Sequence, residues 1–260
     1  MVHKAKLRRK AITLREQFYK YFEILPATTE DLLYEVYHLR YQVYCVETGF
    51  ERKEACQTVN KYGKQIWLEM DKYDWRSRHY LVRHIRTGLF AATVRLVLPD
   101  HNDVEAPFPI EENCVLDYPV RDINIRRHLA EISRFAVSKE FKRRAGERGT
   151  LAGVNEKAEV YLSMNPDERR ILPHLTLGLL AGILRMTRAN NISYWYAVME
   201  PPLLRLLRLF GVRFETIGPD VNYHGLRRPC IAALDTVLPN IRRVNHEAWE
   251  LITDCGKYAG

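Results

Sequence analysis

Three arginines lie in stretches of sequence that are otherwise apolar or aromatic: Arg40, Arg95 and Arg134. A guanidinium group that leaves water loses a large hydration free energy unless a carboxylate pairs with it. Each arginine is therefore predicted to have an acidic partner if its segment is buried. The alternative is that each one faces water from a sheet edge. That is common for a single charge, but it explains three such segments less well.

The best-placed carboxylates belong to Asp71, Asp74 and Glu131. Together with the arginines they would form a charged pocket for a small polar substrate such as an amino acid, because arginine binds carboxylates in a bidentate geometry. Glu131 could also accept the proton of an attacking amine. Glu131 and Arg134 are three residues apart, so in a regular strand they point to opposite faces. Both can face one site only if a bulge intervenes.

The elements that must position these residues are short and mixed in type. Residue patterns predict a strand at 21–25, a helix beginning at 28–31, a hairpin of strands at 79–84 and 90–98, strands at 130–137 and 192–199, and helices at 173–190, 201–210 and 239–255. Residues 51–70 are predicted as a loop or a loose helix, and 99–119 as a loop. Strands and helices do not alternate regularly, which favours an α+β sheet over a doubly wound nucleotide fold.

Composition excludes collagen-like and fully disordered chains, because 47% of the 260 residues are hydrophobic and 28% are charged. The net charge is +8, but residues 1–20 alone hold seven lysines and arginines against one glutamate. We therefore expect a nearly neutral body with a basic N-terminal arm at 1–20, and no specific nucleic-acid binder. The arm is interpreted as a solvated tail or first helix. The alternative is a contact for an acidic partner or an anionic membrane surface.

The five cysteines include no C-x-x-C pair, and the nine histidines form no metal-binding pattern. We expect no metal site and no redox pair, with the cysteines acting as buried fillers. No apolar run approaches the ~20 residues of a membrane helix, and no secretion signal follows the basic N-terminus. These features predict a cytoplasmic protein with reduced thiols.

The order of these residues resembles that in acyl-homoserine-lactone (autoinducer) synthases. That family has an arginine followed by two aromatics, then E-x-D-x-x-D, R-L and E-x-S-R-F. The matching residues here are Arg40, Tyr44 and Phe50, then Asp71 and Asp74, Arg95-Leu96, and Glu131 to Phe135. The resemblance covers roughly residues 32–138, and the second aromatic, usually tryptophan in the family, is phenylalanine here.

Other motifs look more like the acyltransferases associated with the PEP-CTERM/exosortase system, which are relatives of the N-acyl amino acid synthases. These motifs are Tyr41–Glu51, Pro201–Leu207 and Tyr223–Cys230. The resemblance implies a GNAT-type acyltransferase fold, α+β, with a mixed central sheet and helices on both faces. The domain would span 21–238, between the basic arm and a C-terminal helix at 239–260.

In the implied fold, a thioester donor lies between two splayed central strands, 130–137 and 192–198. Its phosphopantetheine phosphate would bind backbone N–H groups at a helix start. The donor-binding residues implied are Val137, Arg143, Arg144 and Gly146. The glycine motif departs from the family's pattern, which leaves both acyl carrier protein and acyl-CoA open as donors. An acidic carrier protein would suit the basic arm, and no permanently bound cofactor is expected.

The resemblance also implies roles for the remaining residues. Arg40, Asp71, Asp74 and Arg95 would shape the site and bind the acceptor, with Glu131 as the base and Arg134 binding the acceptor or stabilising Glu131. Backbone N–H groups at 135–137 would polarise the donor carbonyl. The substrate-binding residues implied are Tyr44, Phe50, Ser133, Phe135, Tyr223 and His224. For the aromatics and for the 223–224 pair, packing or a turn is the alternative role.

These features predict an N-acyltransferase that moves a fatty acyl group from a carrier-protein or coenzyme A thioester to the amine of an amino acid or similar small acceptor. One alternative is an autoinducer synthase that uses S-adenosylmethionine. The other is a non-catalytic module that binds acyl thioesters or nucleic acid through the basic arm.

Overall fold

The computed structural model describes residues 12–61, 63–141, 163–222 and 225–260. Five of the predicted site residues lie outside these ranges: Arg143, Arg144, Gly146, Tyr223 and His224. Most of the basic arm, residues 1–11, lies outside them as well.

The described residues form ten strands and nine α-helices. The strands are β1 Phe22–Pro26, β2 Gln57–Lys61, β3 Lys64–Leu68, β4 Ser77–His84, β5 Phe90–Val97, β6 Leu129–Val137, β7 Tyr194–Met199, β8 Glu215–Thr216, β9 Val221–Asn222 and β10 Leu226–Ala233. The helices are α1 Leu14–Tyr21, α2 Glu30–Tyr41, α3 Pro109–Asn113, α4 Ile123–Arg126, α5 Pro166–Ile171, α6 Leu175–Ala189, α7 Pro201–Leu209, α8 Leu234–Val244 and α9 His246–Thr253. A π-helical turn, Gln42–Glu47, continues α2.

The main sheet has the strand order β1-β4-β5-β6-β7-β10-β8, with β9 paired to β10. Its pairs are antiparallel except β6–β7, which is parallel. Neighbouring residues of β4 face opposite sides, as the pleat requires: Val82 packs into the core that contains α6, and Leu81 into the core that contains α2. The predicted α+β architecture, a mixed sheet with helices on both faces, is confirmed.

The two central strands β6 and β7 separate partway along their length. They pair from Leu129 opposite Tyr194 to Ile132 opposite Ala197. Beyond that point β6 continues to Val137 and β7 to Met199 without pairing to each other. The predicted splay between these strands is therefore present, and it leaves one edge of β6 facing a gap in the middle of the sheet.

A bulge in β6 lies at the start of this gap. On β5, Arg95 is opposite Ser133 and Thr93 is opposite Ala136, so β6 contains one extra residue. Arg134, inside the bulge, has a φ of 48°, in the left-handed region that residues other than glycine seldom adopt. The bulge that the spacing of Glu131 and Arg134 required is thus confirmed.

Two segments predicted as irregular contain regular structure. Residues 51–70 were expected to be a loop or a loose helix, but they contain the antiparallel hairpin β2–β3. Val59 and Ile66 on this hairpin pack against the core beside α2. The sequence of this segment is largely polar because only one face of the hairpin packs against the core. Within 99–119, the short helix α3 begins at Pro109, the first helical position, where proline is favoured.

Both ends of the described chain differ from their predictions. The first helix is not solvated, because Phe18 of α1 is completely buried. The C-terminal helix is two helices, since Asn245 leaves the helical conformation and its side chain accepts a hydrogen bond from the N–H of Ala248 at the start of α9. Ala248 and Leu251 belong to the main core. The proposed boundary at 238/239 therefore falls inside α8.

The cysteines also differ from expectation, because only Cys230 is buried. Across the described ranges, none of the helices combines the length and the apolar composition needed to cross a membrane.

Helix α6 and Phe18 make a close contact that predicts the effect of one mutation. A Cβ added at Gly178 would lie 2.4 Å from Cζ of Phe18. We expect Gly178→Ala to destabilise the protein by about 1–3 kcal/mol through overpacking, although alanine favours a helix by about 1 kcal/mol over glycine. Urea denaturation measures this, with the exposed Arg205→Ala in α7 as control. Stabilisation by Gly178→Ala would contradict the packing.

Candidate active site

Arg40, at the C-terminal end of α2, is completely buried and lies between two carboxylates. Its Nε donates to Oε2 of Glu69 at 2.5 Å, and one terminal nitrogen donates to Oδ1 of Asp74 at 2.6 Å. The predicted pairing with Asp74 is confirmed. Glu69, the first acid of the E-x-D-x-x-D pattern, is a partner that the sequence analysis did not name.

The other two arginines extend this cluster across the sheet. Arg95 on β5 donates to Oδ1 of Asp71 at 2.6 Å and to Oδ1 of Asp74 at 3.0 Å. Arg134 contacts Glu69 at 2.9 Å and Asp71 at 3.1 Å. Three guanidinium groups therefore face three carboxylates, and we call these six residues the charge cluster: Arg40, Glu69, Asp71, Asp74, Arg95 and Arg134.

Two backbone hydrogen bonds hold the acidic residues in place. Oδ2 of Asp74 accepts from the N–H of Asp71 at 2.8 Å, and Oδ1 of Asp71 accepts from the N–H of Tyr73 at 2.9 Å. These two aspartates therefore cap a local turn and also pair with arginine. Each carboxylate is thus oriented by the turn before it meets a guanidinium.

Burial and the neighbouring arginines have opposite effects on the pKa values of the acids in the charge cluster. Burial opposes ionisation of Glu69, but the charges of Arg40 and Arg134 outweigh it and lower the pKa to about 2. Burial likewise opposes ionisation of Asp71 and Asp74, and the neighbouring arginines lower both pKa values. His79 lies beside the cluster, with Nε2 3.5 Å from Oδ1 of Asp74. Burial and the nearby arginines lower its pKa to about 3, so it is neutral.

Glu131 has a different environment, and here the prediction needs a correction. It was expected to pair with a buried arginine, but it forms no ion pair with any residue that the structure describes. Its Oε2 instead accepts from the N–H of Ile110 at 2.7 Å. Only 2% of Glu131 is exposed. Burial raises its pKa to about 8, against the opposing effect of that hydrogen bond.

A cavity of about 380 Å³ opens in the gap between β6 and β7. Its lining combines polar or charged side chains with apolar ones, several of which belong to α6 and α7. The polar or charged lining residues include Glu51, Asp71, Tyr73, Arg95, Glu131, Ser133, Arg134, Glu200 and Arg227. The apolar lining residues include Phe135, Val137, Leu180, Ile183, Val198, Met199, Leu203, Leu206, Leu207 and Phe214. The volume is in the usual range for a small-molecule site.

The described candidates fall into two groups. Asp71, Arg95, Glu131, Ser133, Arg134, Phe135, Val137, Tyr44 and Phe50 line the cavity. Arg40 and Asp74 are not among the lining residues, and Asp74 contacts one of them, Arg95. That Arg40 and Asp74 bind the acceptor stays a prediction.

The two aromatic candidates, Tyr44 and Phe50, each contact an arginine that also lines the cavity. The guanidinium of Arg134 lies 5.4 Å from the ring centre of Tyr44, and that of Arg227 lies 5.6 Å from the ring centre of Phe50. Ser133 accepts a hydrogen bond from Nε of Arg95 at 2.9 Å, so it orients that arginine at the cavity wall.

Sequence reasoning missed Glu51 and Arg227 on the cavity wall. Glu51 follows the aromatic pattern directly and contacts Arg134 at 3.3 Å. Arg227 lies in the Tyr223–Cys230 motif, but the sequence predicts no role for it because no local pattern distinguishes it from its neighbour Arg228. Among the residues described, no cluster of histidine, cysteine and acidic side chains has the arrangement needed to bind a metal ion.

Residues 39–152, fewer than half of the chain, match the family model described as an acetyltransferase (GNAT) domain. The GNAT-type fold expected from the sequence is confirmed. A search of curated protein sequences gives no match.

Solved structures share this fold over most of their length. TofI, in a ternary complex with an inhibitor and MTA, has a TM-score of 0.52 and 17% identity, covering 85% of this chain and 96% of TofI. BjaI, a CoA-dependent acyl-homoserine lactone synthase solved with SAM and isopentyl-CoA, has a TM-score of 0.52 and 16% identity, covering 90% and 88%. FeeM, an N-acyl amino acid synthase from uncultured soil microbes, has a TM-score of 0.50 and 10% identity, covering 86% and 97%.

The burial of the charge cluster predicts a large difference between two arginine mutations. Arg40→Ala removes one of the two arginines that pair with Glu69 and one of the two that pair with Asp74. Three carboxylates then face two guanidinium groups, and we expect a loss of about 3–5 kcal/mol of unfolding free energy. Arg83→Ala is the matched control, because Arg83 pairs with Glu23 at 2.6 Å on partly exposed side chains. It should cost about 1 kcal/mol or less. Urea denaturation of both variants measures the difference, and equal losses would show that burial is not decisive.

Proposed function

We propose that this protein is a GNAT acyltransferase that transfers a fatty acyl group from a phosphopantetheine thioester to the amine of an α-amino acid. One observation carries the proposal: a single cavity is lined both by many apolar side chains and by charged side chains that include Glu131, which has no ion-pair partner among the described residues. An acyl chain suits the apolar side chains, and a small zwitterion suits the charged ones.

The open edge of β6 supports the placement of the donor. Beyond Ile132 this strand pairs only with β5 among the described strands. Backbone N–H groups on the opposite edge therefore face the gap, where a phosphopantetheine arm could bind them as an additional strand would. Such N–H groups would also stabilise negative charge on the thioester oxygen in the transition state.

Glu131 supports the chemistry of the acceptor. A protonated amine cannot attack a carbonyl, so its proton has to leave first. The carboxylate of Glu131 accepts that proton, directly or through one water molecule. The amine nitrogen then forms a bond to the thioester carbon, the carbon–sulfur bond breaks, and a second proton from that nitrogen passes to the departing thiolate, which leaves a neutral amide and a free thiol. A base whose pKa lies near 8 is matched to this task at neutral pH.

Synthesis of an acyl-homoserine lactone is the second candidate. It is favoured by the likeness to BjaI, whose structure contains SAM and isopentyl-CoA. FeeM, an N-acyl amino acid synthase, supports the first candidate through the same fold. Both acceptors are α-amino acids, and the product distinguishes them: an acyl amino acid in one case, a lactone in the other.

The carrier of the acyl group stays a prediction. BjaI is a CoA-dependent synthase, which favours acyl-CoA. The basic arm and Arg143, Arg144 and Arg148 favour an acidic carrier protein instead. The PEP-CTERM association, peripheral membrane contact through the arm and a cytoplasmic location also stay predictions.

The experiment that tests the function combines purified protein with acyl-CoA or acyl carrier protein thioesters and a panel of amino acids or S-adenosylmethionine. Release of free thiol reports turnover, and mass spectrometry identifies the product. An acyl amino acid supports the first candidate and a lactone supports the second. No turnover with any donor, together with salt-sensitive nucleic-acid binding that is lost on deletion of residues 1–20, would favour the non-catalytic module.

Glu131→Gln tests the base. We expect kcat/KM to fall about 10²–10⁴-fold, because the amide cannot accept the proton. In the wild type, log kcat/KM should rise with pH up to about 8, where Glu131 becomes ionised. Comparing the profiles of the wild type and Glu131→Gln separates this ionisation from that of the amine itself. Glu23→Gln, outside the cavity, is the matched control and should keep full activity.

Stability provides a readout of the same group that needs no substrate. Because the folded protein binds this proton more tightly than the unfolded chain, Glu131 stabilises the fold fully below pH 4.5. This contribution is lost as pH rises from 4.5 to about 8. The difference in unfolding free energy between the wild type and Glu131→Gln should change over that window. A constant difference would show that Glu131 is not the group with the raised pKa.

A further inference from the structure

The cations on the cavity wall differ in how firmly the chain holds them. Of the residues that the structure describes, three arginines line the cavity: Arg95, Arg134 and Arg227. Arg95 and Arg134 are held by the buried acids of the charge cluster. If the acceptor has a carboxylate, these two are poorly suited to bind it, since they would have to leave buried partners behind.

One partner of Arg227 is exposed enough to move away. Arg227 pairs with Glu200 at 2.7 Å, and the side chain of Glu200 is 48% exposed. The side chain of Arg227 itself is only 16% exposed, and its guanidinium lies over the ring of Phe50. An exposed carboxylate regains its hydration when it is displaced, so an incoming carboxylate can replace Glu200 at low cost.

The orientation of Arg227 follows from the pleat of β10. Consecutive residues of a strand point to opposite faces. Arg227 lines the cavity, whereas Arg228 pairs with Asp220 at 2.6 Å and does not line it. The two neighbouring arginines are therefore a natural pair of test and control.

Resting on the proposed function, we infer that Arg227 binds the carboxylate of the acceptor and thereby selects α-amino acids over simple amines. The guanidinium can form two parallel hydrogen bonds with a carboxylate, which fixes its orientation as well as its charge. Because Arg227 and Glu131 line the same cavity, the amine of the same molecule would then point toward Glu131. Arg227 is a specificity residue in this arrangement, and the proton transfer does not involve it.

The test compares acceptors with and without a carboxylate: L-leucine against isopentylamine, and L-phenylalanine against phenethylamine. In Arg227→Ala we expect KM for the amino acids to rise at least tenfold with kcat within about threefold, and KM for the amines to change less than twofold. Arg228→Ala should match the wild type. Glu200→Gln should lower KM for the amino acids, because the competing carboxylate is removed. An equal effect on acids and amines, or no effect, overturns the assignment.

Binding measurements keep this test separate from the proposed function. Isothermal titration calorimetry of L-leucine or L-phenylalanine needs no turnover. Binding by the wild type that is at least tenfold weaker in Arg227→Ala supports the role of Arg227 even if no acyl transfer is found. Equal binding by the two proteins, or no binding by the wild type, overturns it.

A second inference concerns two cysteines, Cys45 and Cys56, on either side of a segment that lines the cavity. Sγ of Cys45, in the π-helical turn, lies 3.3 Å from Sγ of Cys56. The segment between them carries Phe50 and Glu51, both of which line the cavity. The two thiols therefore enclose the loop that contacts Arg134 and Arg227. This proximity differs from the expectation, based on sequence spacing, that the chain contains no redox pair.

We propose that Cys45 and Cys56 form a reversible disulfide that restrains this loop. With oxidised glutathione as oxidant, one protein thiolate attacks the disulfide and releases one glutathione thiolate. The second protein thiolate then displaces the other glutathione. Two protein thiols lose two protons and two electrons, and the small disulfide becomes two thiols. Burial raises the pKa of Cys45 to about 12, so thiolate is scarce and the exchange is slow.

The experiment equilibrates the protein at pH 8.5 in glutathione buffers of graded redox ratio and maps disulfides by mass spectrometry. We expect a linked 45–56 peptide that dithiothreitol reverses and that is absent from Cys56→Ser. In Cys255→Ser, which removes an exposed thiol, the linked peptide should persist. The oxidised protein should resist proteolysis between residues 46 and 55. Failure to form the 45–56 link, or a link with no effect on proteolysis, overturns the proposal.

Discussion

The compensation of buried charge is the constraint on which this structure depends. Arg40, Arg95 and Arg134 come from a helix and two strands, and each pairs with carboxylates in a largely buried position. The acids lie on one short segment, 69–74, whose turn orients them before they pair. Because no guanidinium can leave without stranding a charge, the cluster holds α2, β5 and β6 in one arrangement.

Burial has opposite consequences for the acids of this site, depending on what lies beside them. Glu69 has two arginines within hydrogen-bonding distance, and it stays ionised down to a pKa of about 2. Glu131 has only the N–H of Ile110 and holds its proton up to about pH 8. The same fold thus produces a permanently charged framework and, next to it, a group able to exchange a proton near neutral pH. This division of roles is what an amine-acylating site requires.

Much of the fold and part of the site could be predicted from local patterns. The hairpin of β4 and β5, the helix α2 behind Thr29 and the buried strand β7 have strong periodicity and clear end signals. The need for carboxylates opposite the arginines follows from hydration alone. The β2–β3 hairpin could not be predicted in this way, since most of its residues are polar and only Leu68, at the end of β3, is buried in the core beside α2. The break at Asn245 between two helices depends on a cap that the periodicity does not contain.

The sequence by itself determined which chemical groups had to meet: several guanidinium and carboxylate groups too costly to bury alone, within a mixed sheet. It also determined that Glu131 and Arg134 could share a site only through a bulge. The pairing of each acid with its arginine is known only from the tertiary structure. So are the lack of an ion-pair partner for Glu131 among the described residues and the position of Arg227 on the cavity wall. Partner choice depends on distances between segments remote in the chain. The cost of removing a charge from water can be read from each residue, whereas the residue that compensates it is known only from three-dimensional packing.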